Sequence, residues 1–197
     1  MRKQVGPGVT LVAITLLLAM PALVRAGEPR AFDEGSFVLQ ATGSYVAGTA
    51  VFDTEFGSGV LGAVGVGYYF RDNLGFFAEA TALGLTHVDP ETDAAGGGLN
   101  LMLRYHFLEF AGGNATLFVE AGGGIVRLDH EWPDNGTHNN FIGRACLGAT
   151  CRISRNHDIH LIGGLRYFHL SNGYRHGEDE NPNYDAGEAW AGVLWKL

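Results

Sequence analysis

Eight apolar, glycine-rich runs of about 12 to 15 residues recur along the sequence, and each ends in polar residues. No run sustains the 3.6-residue spacing of a buried helix face. The 30 glycines are scattered through these runs, where each would destabilise a helix by about 1 kcal/mol. The pattern therefore predicts β-strands throughout. The predicted strands lie at residues 35–48, 58–71, 74–88, 96–108, 115–128, 140–154, 157–171 and 185–197.

The connections between these runs alternate in length. Short turns are predicted at 72–73, 109–114 and 155–157, and long polar segments at 49–57, 89–95, 129–139 and 172–184. Outer-membrane barrels have an even strand number, short periplasmic turns and longer external loops. The sequence thus predicts an all-β fold, an eight-stranded antiparallel transmembrane β-barrel with both termini in the periplasm.

A soluble lipocalin-like barrel or β-sandwich would also give repeated strands. Strands in soluble proteins most often have about 5 to 6 residues, whereas a tilted membrane-spanning strand needs about 9 to 11. The last run ends in "AWAGVLWKL", which places Val193, Trp195 and Leu197 on one side of the strand. An apolar face ending in an aromatic residue is typical of a lipid-facing strand, so the membrane barrel is the favoured prediction.

Residues 1–26 have the pattern of a cleavable secretory signal peptide. Arg2 and Lys3 precede the apolar run "VTLVAITLLLAMPALV", and "VRA" stands before Gly27. The run is shorter than the roughly 20 apolar residues of a spanning helix, which disfavours an uncleaved anchor. We expect cleavage after Ala26, which leaves residues 27–197 as the barrel domain.

Charge and cysteine content exclude several classes of function. Without the three basic residues of the predicted signal peptide, 13 − 3 = 10 basic residues stand against 21 acidic ones, a formal charge of −11. No basic stripe is left to neutralise phosphates, so nucleic acid is not an expected partner. Cys146 and Cys151 lie five residues apart, on opposite faces of one predicted strand, and are not expected to form a disulfide or a zinc site.

The seventh predicted strand carries two polar residues on its outer face. Arg166 in mid-strand must point into the lumen, because on the lipid face it would cost about 2 to 4 kcal/mol. The opposite parity sends His169 and Ser171 outward, at the end of the strand that faces the long loops.

The eighth strand supplies two candidate acids. Asp185 shares the parity of the lipid-facing Trp195, whereas Glu188 has the opposite parity and should point inward. A single β-bulge would exchange the two acids. A serine, a histidine and a carboxylate at one rim provide a nucleophile, its general base and a group that orients the base. On the outer face they would meet an ester in the membrane.

The C-terminal part of the chain, roughly residues 115–197, resembles the PagL-like lipid A 3-O-deacylase (acyloxyacyl hydrolase) family of outer-membrane barrels. The family pattern is His-x-Ser-Asn at the end of the penultimate strand, then an Asn-Pro loop and an acid that opens the last strand. In this sequence the pattern is formed by His169, Ser171, Asn172, Asn181, Pro182 and Asp185.

This resemblance implies a serine esterase that removes the ester-linked acyl chain at the 3 position of lipid A, without a cofactor. Ser171 would attack the ester, His169 would accept its proton, and Asp185 would orient the imidazole. Asn172 and a backbone N–H near Tyr174 would stabilise the oxyanion. Lipid A and lipopolysaccharide of the outer leaflet are the expected partners.

Three alternatives to this interpretation stay open. The family's acid is glutamate in its best-known members, which makes Glu188 the alternative acid, although loop register and strand parity favour Asp185. The chain could also be a non-enzymatic surface barrel with a degenerate site, or an esterase for another outer-leaflet lipid.

Other polar residues are interpreted as structural. His176 and the acids at 178–180 predict a solvated external loop rather than a metal site. Glu79, Arg104 and Glu120 are expected to pair inside the small barrel, whose interior is filled by side chains.

Overall fold

The eight predicted strands form a closed barrel in the computed structural model, which describes residues 31–48, 57–86, 93–132, 136–173, 175, 181 and 184–197. The strands are β1 (Phe37–Ala47), β2 (Ser58–Arg71), β3 (Leu74–Leu85), β4 (Ala94–Phe110), β5 (Ala115–Trp132), β6 (Thr137–Ser154), β7 (Ile159–Ser171) and β8 (Tyr184–Lys196). Each strand pairs antiparallel with the next, and β1 pairs with β8 to close the barrel. The predicted fold class is confirmed.

Several sequence predictions concern residues outside the described ranges. These are the signal peptide at 1–26, Tyr174, Pro182 and the acidic loop at 176–180. None of the described residues forms a helix long and apolar enough to cross a membrane.

The three short turns lie where the sequence predicts them. Asn73, Ala111 and Asp158 adopt positive φ angles of 61°, 55° and 45°, which lets each chain reverse within two to four residues. The turns share one end of the barrel with the described N-terminal residues and the C-terminus. In an outer-membrane barrel this end faces the periplasm, so the opposite end faces the cell exterior.

Much of one predicted loop belongs to the two strands that it was expected to connect. Residues 129–139 were expected to connect β5 and β6, but β5 continues to Trp132 and β6 begins at Thr137. Leu128 and Trp132 are buried in the apolar cluster at the outer end of the barrel, which anchors this extension. The prediction was wrong because it followed apolar, glycine-rich runs, whereas this hairpin carries polar residues on its outer face.

The outer surface of the barrel is apolar. Exposed valines, leucines and isoleucines alternate with buried residues along the strands, as in Val60, Val64, Leu101, Ile125 and Leu165. Aromatic side chains collect near the periplasmic end, at Phe37, Tyr68, Phe70, Phe76, Phe110 and Trp195. An apolar band edged by aromatics is the surface that a lipid bilayer solvates.

The lumen holds a balanced set of three glutamates and three arginines. Arg104 binds Glu120 at 2.5 Å, and Arg166 binds Glu120 at 3.2 Å and Glu188 at 3.0 Å. Arg144 approaches Glu79 at 3.4 Å. The predicted inward orientation of Glu79, Arg104 and Glu120 is confirmed. Cys146 is buried and Cys151 exposed, so the two thiols lie on opposite faces as expected.

The N-terminal described residues close the periplasmic end of the lumen. The Phe32 side chain is fully buried and stacks on Tyr69, with 4.8 Å between the ring centroids. Lys196 Nζ binds Asp33 Oδ2 at 3.0 Å and donates to the carbonyl of Ala31 at 3.2 Å. The segment before β1 is thereby attached to the last strand as well as to the interior.

Candidate active site

The external ends of β7 and β8 place His169 and Asp185 directly opposite each other. They are register partners in a strand pair that runs without a shift from Ile159 to Leu170. Side chains opposite each other have Cβ atoms about 4.5 to 5.5 Å apart, close enough for an aspartate to reach an imidazole. The His169 Nδ1 atom lies 2.7 Å from Asp185 Oδ1.

The His169–Asp185 contact determines which imidazole nitrogen can act as a base. An ionised carboxylate only accepts hydrogen bonds, so His169 Nδ1 carries the proton in this pair. The neutral ring then presents Nε2 as an acceptor. Both side chains are about 30% exposed, at 31% and 27%, and lie on the outer face of the barrel. This is the arrangement of a general base held by an acid.

The two candidate acids point in opposite directions. Glu188 is 2% exposed in the lumen and is bound to Arg166 at 3.0 Å. The β-bulge that would have exchanged the two acids is absent from the described β7–β8 pairing. Asp185 is therefore the acid that contacts His169.

Ser171 is the last residue of β7, two residues after His169 and opposite Phe141 of β6. Its hydroxyl donates to Asn181 Oδ1 at 3.0 Å and accepts from the backbone N–H of Gly173, also at 3.0 Å. No hydrogen bond joins Ser171 to His169 among the described contacts of these two residues. In this arrangement the hydroxyl must rotate from Asn181 to reach the imidazole.

Asn181 organises the start of the loop that joins β7 to β8. Its Oδ1 also accepts the backbone N–H of Asn172 at 2.8 Å, so this oxygen receives two donors. Its Nδ2 is buried and has no hydrogen-bond partner among the described residues. Sequence reasoning used Asn181 only as part of an Asn-Pro motif. No sequence pattern linked it to the Ser171 hydroxyl, because the contact depends on the path of the loop.

Two further residues border the site. Tyr167 donates its hydroxyl to Asp185 Oδ1, the same atom that His169 approaches, and its ring stacks at 14° to the imidazole. Gly143 of β6 lies opposite His169, where a side chain would contact the imidazole. The sequence pattern did not assign Tyr167 to the site.

Among the described loop residues beside the site, Arg175 is positively charged. The guanidinium of the exposed Arg175 lies 4.7 Å from the centroid of the Phe141 ring. Gly173 has a φ angle of +69°, a conformation that glycine adopts without strain, and this turns the chain over Phe141 after Ser171.

No group of three or more His, Cys, Asp or Glu side chains placed to share a metal ion occurs in the described parts of the chain.

Comparisons with known proteins agree with this architecture. A family model described as lipid A 3-O-deacylase (PagL) matches residues 64–186, more than half of the chain. No curated protein matches the sequence.

Solved outer-membrane barrels share the fold. Neisserial surface protein A (NspA) aligns with a TM-score of 0.61 and 20% identity, over 83% of this chain and 100% of that chain. OprG of Pseudomonas aeruginosa aligns with a TM-score of 0.56 and 12% identity, over 86% and 99%. The N-terminal barrel domain of OprF from the same organism has a TM-score of 0.52 and 13% identity, over 83% and 98%.

Proposed function

The chain belongs to the lipid A 3-O-deacylase (PagL) family, which makes it an outer-membrane ester hydrolase acting on lipid A, and we propose that Ser171, His169 and Asp185 are its catalytic residues. The observation that carries the proposal is the 2.7 Å contact between His169 Nδ1 and Asp185 Oδ1 on the lipid-facing surface. A histidine held by an acid beside a serine has the chemistry of a hydrolytic triad.

The first half-reaction transfers the acyl group to the enzyme. Ser171 Oγ turns from Asn181 toward His169, gives its proton to Nε2 and attacks the ester carbonyl at the 3 position of the sugar. The tetrahedral intermediate collapses when the bond between the acyl carbon and the sugar oxygen breaks. The protonated imidazole returns its proton to that oxygen, which leaves as the sugar hydroxyl.

The second half-reaction frees the acyl chain. Water gives a proton to His169 Nε2 and attacks the acyl-serine, and collapse of the second intermediate returns the proton to Ser171 Oγ. Asp185 keeps the Nδ1 proton in place and stabilises the imidazolium that forms in both halves. The products are a fatty acid and a lipid A with one chain fewer.

The developing oxyanion needs donors near Ser171. Asn181 Nδ2 is a buried donor without a partner in the described structure, and it belongs to the amide that already binds the Ser171 hydroxyl. We assign Asn181 this role together with the sequence-predicted donors at Asn172 and Tyr174. A preorganised donor of this kind contributes about 2.7 to 4 kcal/mol to transition-state stabilisation.

The outward orientation of the site determines its substrate's position. His169 and Ser171 lie just beyond the apolar column of β7, which includes Leu161 and Leu165. An ester at the boundary between acyl chains and headgroups would meet Ser171 without leaving the bilayer. Arg175 lies on the headgroup side of Ser171, where its guanidinium can bind a lipid A phosphate.

Mass spectrometry of lipid A from cells that produce the protein tests this function. We expect the wild type to remove one 3-hydroxyacyl chain and Ser171→Ala to leave lipid A intact. Ser154→Ala, at the periplasmic end of β6, is the matched control and should behave as the wild type. Intact lipid A with folded wild-type protein would contradict the assignment.

A further inference from the structure

The outer face of β7 carries a tyrosine that contacts the candidate acid. Tyr167 lies two residues before His169, and its hydroxyl donates to Asp185 Oδ1. Its ring centroid is 6.4 Å from that of His169, with 14° between the ring planes. One carboxylate oxygen thus receives a phenol and an imidazole that stack on each other.

The strand register explains how Tyr167 reaches Asp185. Its direct partner on β8 is Gly187, which has no side chain to occupy the space opposite the ring. Asp185 is the diagonal neighbour, a separation that aromatic side chains can bridge. The phenol can therefore lean across the strand pair toward the carboxylate.

On the lipid-facing surface, Tyr167 and Asp185 both need a hydrogen-bond partner. A phenol hydroxyl surrounded by acyl chains lacks water as a partner, and an unpaired hydroxyl there is costly. The same holds for Asp185, which needs donors to keep its charge and orientation beside the membrane. Each group supplies the other with a hydrogen-bond partner on this face.

We propose that Tyr167 is a positioning residue of the hydrolase, which holds the Asp185 carboxylate in the orientation that fixes the His169 imidazole. The proposal rests on the role assigned above to Asp185. In this proposal Tyr167 acts through the acid rather than on the ester. By donating to Oδ1, it also limits the negative charge available to the imidazolium.

Removal of the hydroxyl has two consequences with a defined sign. Without the phenol, Asp185 rotates more freely, so fewer molecules hold the imidazole correctly and kcat falls. The carboxylate also loses a donor and binds the protonated imidazole more strongly. This stronger pairing moves the acidic limb of the pH–rate profile upward.

The test compares Tyr167→Phe with Tyr68→Phe in the full-length barrel in neutral detergent micelles containing lipid A. Tyr68 is the matched control because it is 41% exposed on the same outer surface, against 40% for Tyr167, and lies near the other end of the barrel. We expect Tyr167→Phe to lower kcat about five- to tenfold, to leave KM within twofold, and to shift the acidic limb upward. Tyr68→Phe should change none of these.

A second measurement separates this proposal from the proposed function. In an Asp185→Glu background the carboxylate is displaced, so the effect of Tyr167→Phe should shrink to less than twofold. An undiminished effect in that background, a wild-type kcat for Tyr167→Phe, or a lower kcat with an unmoved acidic limb would each overturn the proposal. If Ser171→Ala abolishes deacylation while Tyr167→Phe has no effect, the triad stands and the role of Tyr167 falls.

Discussion

Asp185 suits its position because its partner stands directly across the strand pair. Between residues that are opposite in register, the short aspartate side chain reaches His169 Nδ1 at 2.7 Å, and Tyr167 approaches the same oxygen from the side. Three side chains on one outer face therefore form a continuous hydrogen-bonded group. The geometry of this group depends on the length of the Asp185 side chain.

Mutations of the two candidate acids should have different effects on kcat and on stability. Asp185→Asn is expected to lower kcat by about 10² to 10⁴-fold, because the amide no longer selects the imidazole tautomer. Glu188→Gln should keep kcat per folded molecule within twofold but destabilise the barrel by about 3 to 5 kcal/mol, since Arg166 loses a buried partner. Deacylation rates and chemical unfolding measure the two effects. A large kcat loss for Glu188→Gln alone would reverse the assignment of the acid.

For these residues, the sequence could predict which face of β7 or β8 each side chain occupies, because side chains alternate along a strand. One arginine, Arg166, was enough to decide which face is the lumen, and the outward His169 and Asp185 and the inward Glu188 followed from it. Ser171, at the end of β7, is only 7% exposed. The reach of Tyr167 to Asp185 and of Asn181 to Ser171 could not be predicted in this way. These contacts depend on the rotamer of a diagonal neighbour and on the path of a loop, which alternation does not encode.

At the scale of the strands, β6 forms the wall beside the imidazole. A Cβ atom at Gly143 would lie 3.7 Å from His169 Cβ and 4.0 Å from its Cδ2. An alanine side chain would fit at this position, but the branches of a larger side chain would crowd the imidazole. Glycine thus keeps the lipid-side approach to His169 open.

Gly143→Val is expected to lower kcat/KM about tenfold or more through displacement of the imidazole. Valine suits a lipid-facing strand, so the folded fraction should not change. Gly62→Val is the control, because a Cβ at Gly62 meets no atom within 4 Å. Circular dichroism measures the folded fraction, and deacylation assays measure kcat/KM. Equal activity of both variants would show that the space at Gly143 is not used.

Strand number, turns and faces were predictable because membrane strands repeat one pattern of alternation. The β5–β6 hairpin was not, since its outer residues are polar and resemble those of a loop. Its strand character comes from Leu128 and Trp132, which pack inside the barrel with residues from distant strands. Such long-range packing is invisible to a local pattern.

At the scale of the whole molecule, a filled interior stabilises the barrel. The glutamates and arginines occupy the middle, and apolar clusters fill the two ends. Phe32 belongs to the periplasmic cluster although it precedes β1 and stands in a polar stretch, "AFDEGS". A single phenylalanine outside any strand carries no periodic signal, so its role could not be predicted.

Phe32→Ala is expected to destabilise the barrel by about 3 to 5 kcal/mol, because it leaves a cavity against Tyr69 and His106. Phe37→Ala is the comparison, since Phe37 is exposed on the outer surface. Denaturant unfolding in lipid vesicles measures the free energy of unfolding of both variants. The Phe37 variant should lose clearly less of it than the Phe32 variant. Equal losses would mean that Phe32 does not plug the lumen. Lipid A deacylation should persist in both, because the site is at the other end.

The outward-facing site changes what limits the enzyme's encounter with its substrate. With Ser171 as the proposed nucleophile, a molecule of lipid A would reach the site by two-dimensional diffusion within the leaflet, so its mole fraction in the membrane, rather than its bulk molarity, would be the relevant concentration. Addition of inert detergent at constant amounts of enzyme and lipid A would slow the reaction by surface dilution. Tight lateral packing of lipid A against its neighbours would slow this diffusion and so reduce the rate at which the enzyme meets its substrate.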